Sequence, residues 1–285
     1  MSGVPLTKVG VAGLGPRGRA IGGRLRSAGL RPIGYDIDVE VAARSGLRTA
    51  GNAQRLAQEC EAEIVAADGD DAETLVEALL AFEPGLTVLS TIALCGALEP
   101  GRVQKLANAA ARQGVALLDA PIDGGDDAIS GGRAVVFAGG SSAAVEVCRP
   151  AFQACGVVVH VGEAGSGQIA RTVNDLLRWA NVLAIHDAFS LAAACGADPS
   201  PIRDAVLKAS GSNRALEEWG RSGVEAARQD IQAGLLLARE TGARMPFLEQ
   251  LDELLHHLDP EQMSGLFNLG IADLTQRGED DDRGD

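Results

Sequence analysis

The sequence predicts an α/β protein: a doubly wound parallel sheet in the N-terminal half, followed by an all-α C-terminal domain. Two observations carry this. Short β-like runs alternate with amphipathic helical stretches as far as residue 162, and after Gly162 the β signal stops. Strand and helix alternate in this way when parallel strands are joined by helices that cover both faces of the sheet.

In chain order the expected strands are Lys8–Ala12, Pro32–Tyr35, Ile64–Ala67, Thr87–Ser90, Ala116–Leu118, Ala134–Ala138 and Val157–Val161. Between most of them lie the helical stretches Arg17–Ala28, Ala72–Phe82, Gly101–Gln113 and Ser142–Phe152. Gly165-Ser166-Gly167 then opens a long helix, with Ile169, Val173, Leu176, Leu177, Ala180, Leu183 and Ala184 at helical spacing. It runs to about Cys195, where Gly196 and Pro199 punctuate it. Helical patterns follow at Pro201–Ala209, Val224–Glu240, Pro246–Leu258 and Met263–Leu274. The domains expected are therefore 1–162, carrying the sheet, and 163–277, all helical, with an acidic tail over 278–285.

Composition narrows the function. Of 285 residues, 46% are hydrophobic and 22% charged, a globular balance. Apolar stretches are broken well short of the roughly 18 residues that a membrane span needs. A net charge of −14 disfavours nucleic acid and anionic membranes as partners. The tail holds five acidic residues against one Arg and is expected to be disordered. The first strand begins almost at the initiator Met, so no signal peptide is expected and the cytoplasm is the default compartment. Five dispersed cysteines without a CxxC pair argue against a disulfide framework or a structural zinc. His256-His257 has no acidic or cysteine partner at metal spacing, and no metal is expected.

The chemistry begins at Gly13-Leu14-Gly15-Pro16-Arg17-Gly18, which fits GxGxxG. It directly follows a strand-like run and directly precedes a helical one, the context of a dinucleotide-binding turn in a Rossmann-type domain. Gly13 makes the tight turn, Gly15 lets a diphosphate approach the backbone, and Gly18 lets helix and strand pack closely. The helix N-terminus offers free N–H groups and a positive dipole end to the phosphates. Asp36 lies 23 residues after Gly13, at the end of the second strand, where an acid accepts the ribose 2′-OH and repels a 2′-phosphate. The expected cofactor is NAD.

With these residues in view, the sequence resembles the β-hydroxyacid dehydrogenases, the family of 3-hydroxyisobutyrate dehydrogenase and tartronate semialdehyde reductase. Val9–Gly29 resembles the family's cofactor motif, and Ser90-Thr91-Ile92 the segment that contacts the nicotinamide ribose. Asp119-Ala120-Pro121-Ile122-Asp123-Gly124-Gly125 resembles the substrate motif DAPVSGG, and Gly165–Asp175 the catalytic helix start GxGxxxKxxNN. Asp187 sits where a helix acid is usual, and Gln229-Asp230 resembles a Lys-Asp pair that the second domain contributes. The resemblance implies a cofactor site at Gly13–Gly18, Asp36 and Thr91. It implies a substrate site at Asp123, Gly124, Gly125, Asn174 and Asp230.

The departures fall on the catalytic positions. Asp123 stands for Ser, Arg171 for the general acid–base Lys, Asp175 for the second Asn and Gln229 for a Lys. An ionised Asp123 repels a substrate carboxylate, so a plain 3-hydroxy acid is disfavoured. Arg171 keeps its proton at neutral pH and cannot act as a base, though it can polarise a carbonyl or clamp an anion. Arg171 and Asp175 are four apart on one helix and could also simply pair with each other. Asp123 could equally be a turn residue of the Pro121–Gly125 bend. Trp179 reads as a core or interface aromatic, and His186 as structural.

The function expected is an NAD(H)-dependent oxidoreductase acting on a small polar carbonyl or alcohol, with Arg171, Asp175 and Asp123 as the catalytic set. Two alternatives stay open: an imine reductase-like enzyme, favoured by the two carboxylates, and an NAD-binding homologue that has lost catalysis. The apolar pattern from Ile169 to Ala193 fits burial on more than one side, which predicts a homodimer or higher homo-oligomer.

Overall fold

The computed structural model describes residues 8–82, 86–218 and 224–257. The helix expected over Met263–Leu274 and the acidic tail 278–285 lie outside them. The chain divides into two compact units, Met1–Arg171 and Thr172–Asp285.

The first unit opens with β1 (Lys8–Ala12), α1 (Pro16–Ser27), β2 (Arg31–Tyr35), α2 (Val39–Arg44) and β3 (Arg48–Thr49). It continues through α3 (Ala53–Glu59), β4 (Ala62–Val65), α4 (Gly69–Leu80), β5 (Thr91–Leu94), α5 (Pro100–Ala111) and β6 (Ala116–Asp119). It closes with β7 (Ile122–Asp123), α6 (Gly125–Gly131), β8 (Ala134–Gly139), α7 (Ser142–Cys155) and β9 (Gly156–Gly162). The strands form one sheet in the order β3-β2-β1-β4-β5-β6-β8-β7, with β9 paired to β8.

Alternation along β1 sorts the core into two layers. Val9 and Val11 face one side with Ile21 and Leu25 of α1, Val145 and Phe152 of α7, and Ile64 of β4. Ala12 faces the other with Leu56 of α3, Leu79 of α4, Val103 and Leu106 of α5, and Ile92 and Leu94 of β5. A strand buried on both faces reads as a continuous apolar run, and β5 is buried throughout.

Three expectations are corrected. The fifth strand is Thr91–Leu94, not Thr87–Ser90, because Leu86 and Val88 are exposed while Thr91 to Leu94 are buried. The fourth spans Ala62–Val65 rather than Ile64–Ala67, so Ala66 and Ala67 already belong to the loop at its carboxyl end. The sheet is not wholly parallel. The strands from β3 to β6 are parallel, but β8 runs antiparallel to β6 and β7, since the chain turns back after Asp123 through the left-handed glycines Gly124 and Gly125.

The described residues of the second unit form helices and the turns between them. α8 (Ser166–Ala194) spans 29 residues, about 43 Å at 1.5 Å per residue, and its first residues belong to the first unit. α9 (Pro199–Val206), α10 (Arg214–Glu217), α11 (Val224–Thr241) and α12 (Pro246–His257) follow. Trp179, Val182 and Leu183 of α8 pack with Ala227, Ile231 and Leu235 of α11 and Leu248, Leu251 and Leu255 of α12. No helix of the described residues is long and apolar enough to cross a membrane.

Candidate functional site

The strand order reverses between β1 and β4, and ligands of open α/β sheets bind outside the carboxyl ends of strands at such a switch point. Gly13 leaves β1 with φ +86°, a left-handed turn, and its N–H donates to Tyr35 O at 2.9 Å. A Cβ on Gly18 would sit 1.8 Å from Gly13 O, so only glycine lets α1 start this close to the strand. Among the described residues a Cβ on Gly15 would meet nothing within 4 Å. Pro16 fixes the first helical residue, where a missing N–H costs nothing. The turn is thus closed beneath and open above, at a helix N-terminus without an acidic residue in its first turn. These residues fit a diphosphate.

Asp36 follows β2. Its Oδ2 accepts the Leu14 N–H at 2.6 Å and its Oδ1 the Asp38 N–H at 2.9 Å, so the carboxylate is tied to the glycine-rich turn. Asp38 beside it caps α2 by accepting from Glu40 N. Two carboxylates end this strand.

Asp68, which sequence reasoning missed, stands at the carboxyl end of β4, on the other side of the switch point. Its Oδ1 accepts from Arg17 Nη1 at 2.8 Å and from Ala97 N at 2.6 Å. Gly69 N donates to Ala97 O at 2.8 Å, stitching the loop after β4 to the loop after β5. Those loops touch so closely that a Cβ on Gly96 would lie 1.5 Å from Ala67 O. Burial works against ionisation of Asp68, but Arg17, the Ala97 N–H and the charge of Arg171 outweigh it and hold its carboxyl below the usual range. Asp68 is one of three aspartates within four residues, with Asp70 and Asp71, so nothing in the sequence singled it out.

The start of α8 is fixed by Asp119, the last residue of β6, which is fully buried. Its Oδ1 accepts from Gly165 N and its Oδ2 from Gln168 N, each at 2.7 Å. A Cβ on Gly167 would lie 2.7 Å from Asp119 Oδ2, and one on Gly139 2.5 Å from Oδ1. The Gly165-Ser166-Gly167 pattern therefore makes room for a structural carboxylate. Burial raises the Asp119 pKa, and the backbone N–H bonds act against that rise. Gln168 in turn clamps the loop after β5, donating to Gly96 O at 2.8 Å and accepting from Leu98 N at 3.4 Å.

One turn farther along α8 stands Arg171, near enough to Asp68 to lower its pKa. Asp123 is half-buried in β7, paired with Val135 of β8. Gly124 and Gly125 follow it with φ +107° and +72°. A Cβ on Gly124 would meet Ala128 Cβ at 2.7 Å, whereas the space around Gly125 is open.

Thr91 is a correction. It begins β5, is 2% exposed, and pairs with Ala62 and Ala116, the first residues of β4 and β6. It therefore sits at the amino edge of the sheet, about 10 Å from the edge where Gly13 and Asp68 stand. The backbone at the carboxyl end of β5 is that of Cys95, Gly96 and Ala97.

In the helical unit, Asn174 Nδ2 donates to Asp175 Oδ1 at 3.4 Å, and Asp175 is 9% exposed. Trp179 is buried, and its indole N–H donates to Asp230 Oδ2 at 2.9 Å. Asp230, expected at the substrate, thus carries a bond into the helical core. His186 contacts Asp187 at 3.4 Å. Among the described residues, no group of three or more His, Cys, Asp or Glu side chains is arranged to hold a metal ion.

The chain is similar to known proteins. Residues 8–162 match the model of the NAD-binding domain of 6-phosphogluconate dehydrogenase. Residues 165–266 match that of the NAD-binding region of NADP-dependent 3-hydroxyisobutyrate dehydrogenase. The chain is 30% identical over 219 residues to 3-hydroxyisobutyrate dehydrogenase of Pseudomonas aeruginosa, covering 74% of this chain and 72% of that one. The fold is similar to that of the Mycobacterium tuberculosis 3-hydroxyisobutyrate dehydrogenase solved with L-serine, with a TM-score of 0.78 at 19% identity over 95% of this chain and 99% of that one. A Myxococcus stipitatus imine reductase variant solved with NAD+ is similar at a TM-score of 0.62 and 17% identity, over 96% and 99% of the two chains.

Proposed function

The chain belongs to the β-hydroxyacid dehydrogenase family, and from that premise we propose that it is an NAD-preferring enzyme acting on a small polar carbonyl or alcohol. As a member it is an oxidoreductase with a nicotinamide dinucleotide-binding domain. The observation that carries the proposal is the pair of carboxylates, Asp36 and Asp38, at the end of β2 beside the glycine-rich turn. A 2′-phosphate there meets two negative charges, whereas a free 2′-OH can donate to Asp36.

Gly13, Leu14, Gly15, Pro16, Arg17 and Gly18 would hold the diphosphate on α1, and Asp36 the adenosine ribose. When bound, the dinucleotide supplies the two-electron, hydride-transfer chemistry. The chain's own contribution is polarity. Arg171 stabilises a developing alkoxide as a charged donor. Asp123, Gly124 and Gly125 are assigned to one side of the substrate, and Asn174 and Asp175 follow Arg171 on α8 at helical spacing. The proton comes from water, Asp175 or Asp123. An ionised Asp123 makes a plain 3-hydroxy acid a poor substrate, because its carboxylate faces another.

Calorimetric titration with NADH and NADPH tests the cofactor reading, with NADH expected to bind at least tenfold tighter. Turnover of polar carbonyls with NADH, lost in Arg171→Ala while NADH still binds, tests the chemistry. Retained turnover in that variant removes Arg171 from the mechanism.

A second reading, reduction of imines, is supported by the carboxylates Asp123 and Asp175, which suit a cationic iminium, and by the structural likeness to an imine reductase. Arg171 counts against it. A panel of cyclic imines decides, and absence of turnover on all of them ends it.

Homo-oligomerisation and a cytoplasmic location belong to the same proposal. Ile169, Val173, Leu177 and Leu191 of α8 are 43%, 51%, 61% and 66% exposed and recur at helical spacing, an apolar stripe suited to a second copy. The five cysteines are free, as a reducing compartment keeps them. Mass in solution tests the first.

A further inference from the structure

Two residues at the switch point break the rules of their own helices. Asp68 occupies the N-cap position of α4, where an aspartate ordinarily accepts from its own helix, yet its side chain makes no capping bond there. It turns instead to Ala97 N and Arg17. Arg17 lies in the first turn of α1, the positive end of the helix, where a cation is disfavoured. Local rules broken in this way, at the edge of the sheet where ligands bind, point to function rather than to folding.

We propose that Asp68 is an affinity-determining residue for the dinucleotide, an internal anion that holds Arg17 and competes with the diphosphate for it. The inference rests on the reading of the glycine-rich turn as a dinucleotide site. Arg17 is the side chain of that turn able to meet a phosphate charge, and it is tethered at 2.8 Å to a carboxylate with 55% of its side-chain surface exposed. A diphosphate arriving at the turn must share Arg17 with Asp68 or displace it, and it does so beside a like charge. Asp68 thereby weakens binding. In return it keeps Arg17 from extending into solvent and ties the loop after β5 to the loop after β4. The same tether reaches α8, because Gln168 holds Gly96 and Leu98 on either side of Ala97. Release of Arg17 thus loosens a loop that touches the start of the helix carrying Arg171.

Asp68→Asn separates charge from shape, since its amide oxygen still accepts from Ala97 N. Calorimetry of the full chain with NADH and with ADP-ribose, which carries the diphosphate without nicotinamide, is expected to show about threefold tighter binding in Asp68→Asn than in wild type. In an Arg17→Met background the same change is expected to alter the dissociation constant by less than about 1.5-fold. Thermal unfolding of each variant checks that the fold is kept, and Asp68→Ala, which also frees Ala97 N, is expected to lower stability. Unchanged or weaker binding in Asp68→Asn overturns the inference, as does equal tightening with Arg17 replaced. If wild type binds neither ligand, it is the dinucleotide reading itself that fails.

Discussion

The carboxylate of Asp119 accepts the backbone N–H of Gln168 at 2.7 Å, so the last residue of a central strand pins the first turn of the longest helix. Gly165 N bonds the other oxygen. Replacing it by Asn puts an NH2 group against one of these N–H donors. Asp119→Asn is expected to cost roughly 1–3 kcal/mol in urea unfolding, the range for a buried polar group left without its partner. A loss under about 0.5 kcal/mol would show that the helix start is held by other means.

Glu63, in the middle of β4, is fully buried, and among the described residues neither carboxylate oxygen has a hydrogen-bond partner. Burial pushes its pKa well above the ordinary 4.5, because an apolar surrounding disfavours the charged form. The sign follows from a folded pKa above the unfolded one. Its contribution to stability is best below about pH 4.5 and is lost as pH rises towards the folded pKa. Glu63→Met is therefore expected to raise stability at pH 7 by roughly 1–3 kcal/mol. It should also flatten the decline of stability with pH above 4.5. Equal pH profiles for the two proteins would refute this.

Gly15 and Gly18 should separate binding from folding. A Cβ at Gly15 meets open space, and its φ of −58° suits alanine, so Gly15→Ala is expected to change stability by less than about 0.5 kcal/mol. NADH binding should nonetheless fall at least tenfold, since the methyl stands where the proposed diphosphate site lies. Gly18→Ala collides with Gly13 O and is expected to lose both stability and binding. Near-normal NADH affinity in Gly15→Ala would place the diphosphate elsewhere.

The Trp179–Asp230 bond tests what the second unit contributes. If Asp230 serves the core, Asp230→Ala lowers the unfolding midpoint and leaves kcat/KM for the best substrate within about twofold. Trp179→Phe, which keeps the aromatic packing but loses the N–H, is expected to cost about 1–2 kcal/mol. A raised KM with unchanged stability in Asp230→Ala would return that residue to the substrate site.

Much of this was legible in sequence because it is local. A strand, a glycine-rich turn and a helix within twenty residues must fold together, and Asp36 follows at a distance fixed by the next strand. Glycine at 13 and 18 is dictated by φ and by contact with its own turn. Thr91 shows the limit. The run from Leu86 to Leu94 is β-like throughout, and no local signal says which four residues enter the sheet, so the motif alone does not say at which edge Thr91 lies. Asp68 and Gln168 lay beyond reach for the same reason, since their partners are 29 to 72 residues away.

The sequence by itself determined the strand–helix alternation, the switch to helical elements after the sheet and the glycine-rich turn, because periodicity and glycine conformation act over a few residues. Only the tertiary structure decided that Asp119 anchors a helix, that Asp68 holds Arg17, and that Trp179 takes up Asp230. Each of those pairings joins segments distant in the chain, and their geometry exists only once the sheet and the helices have packed.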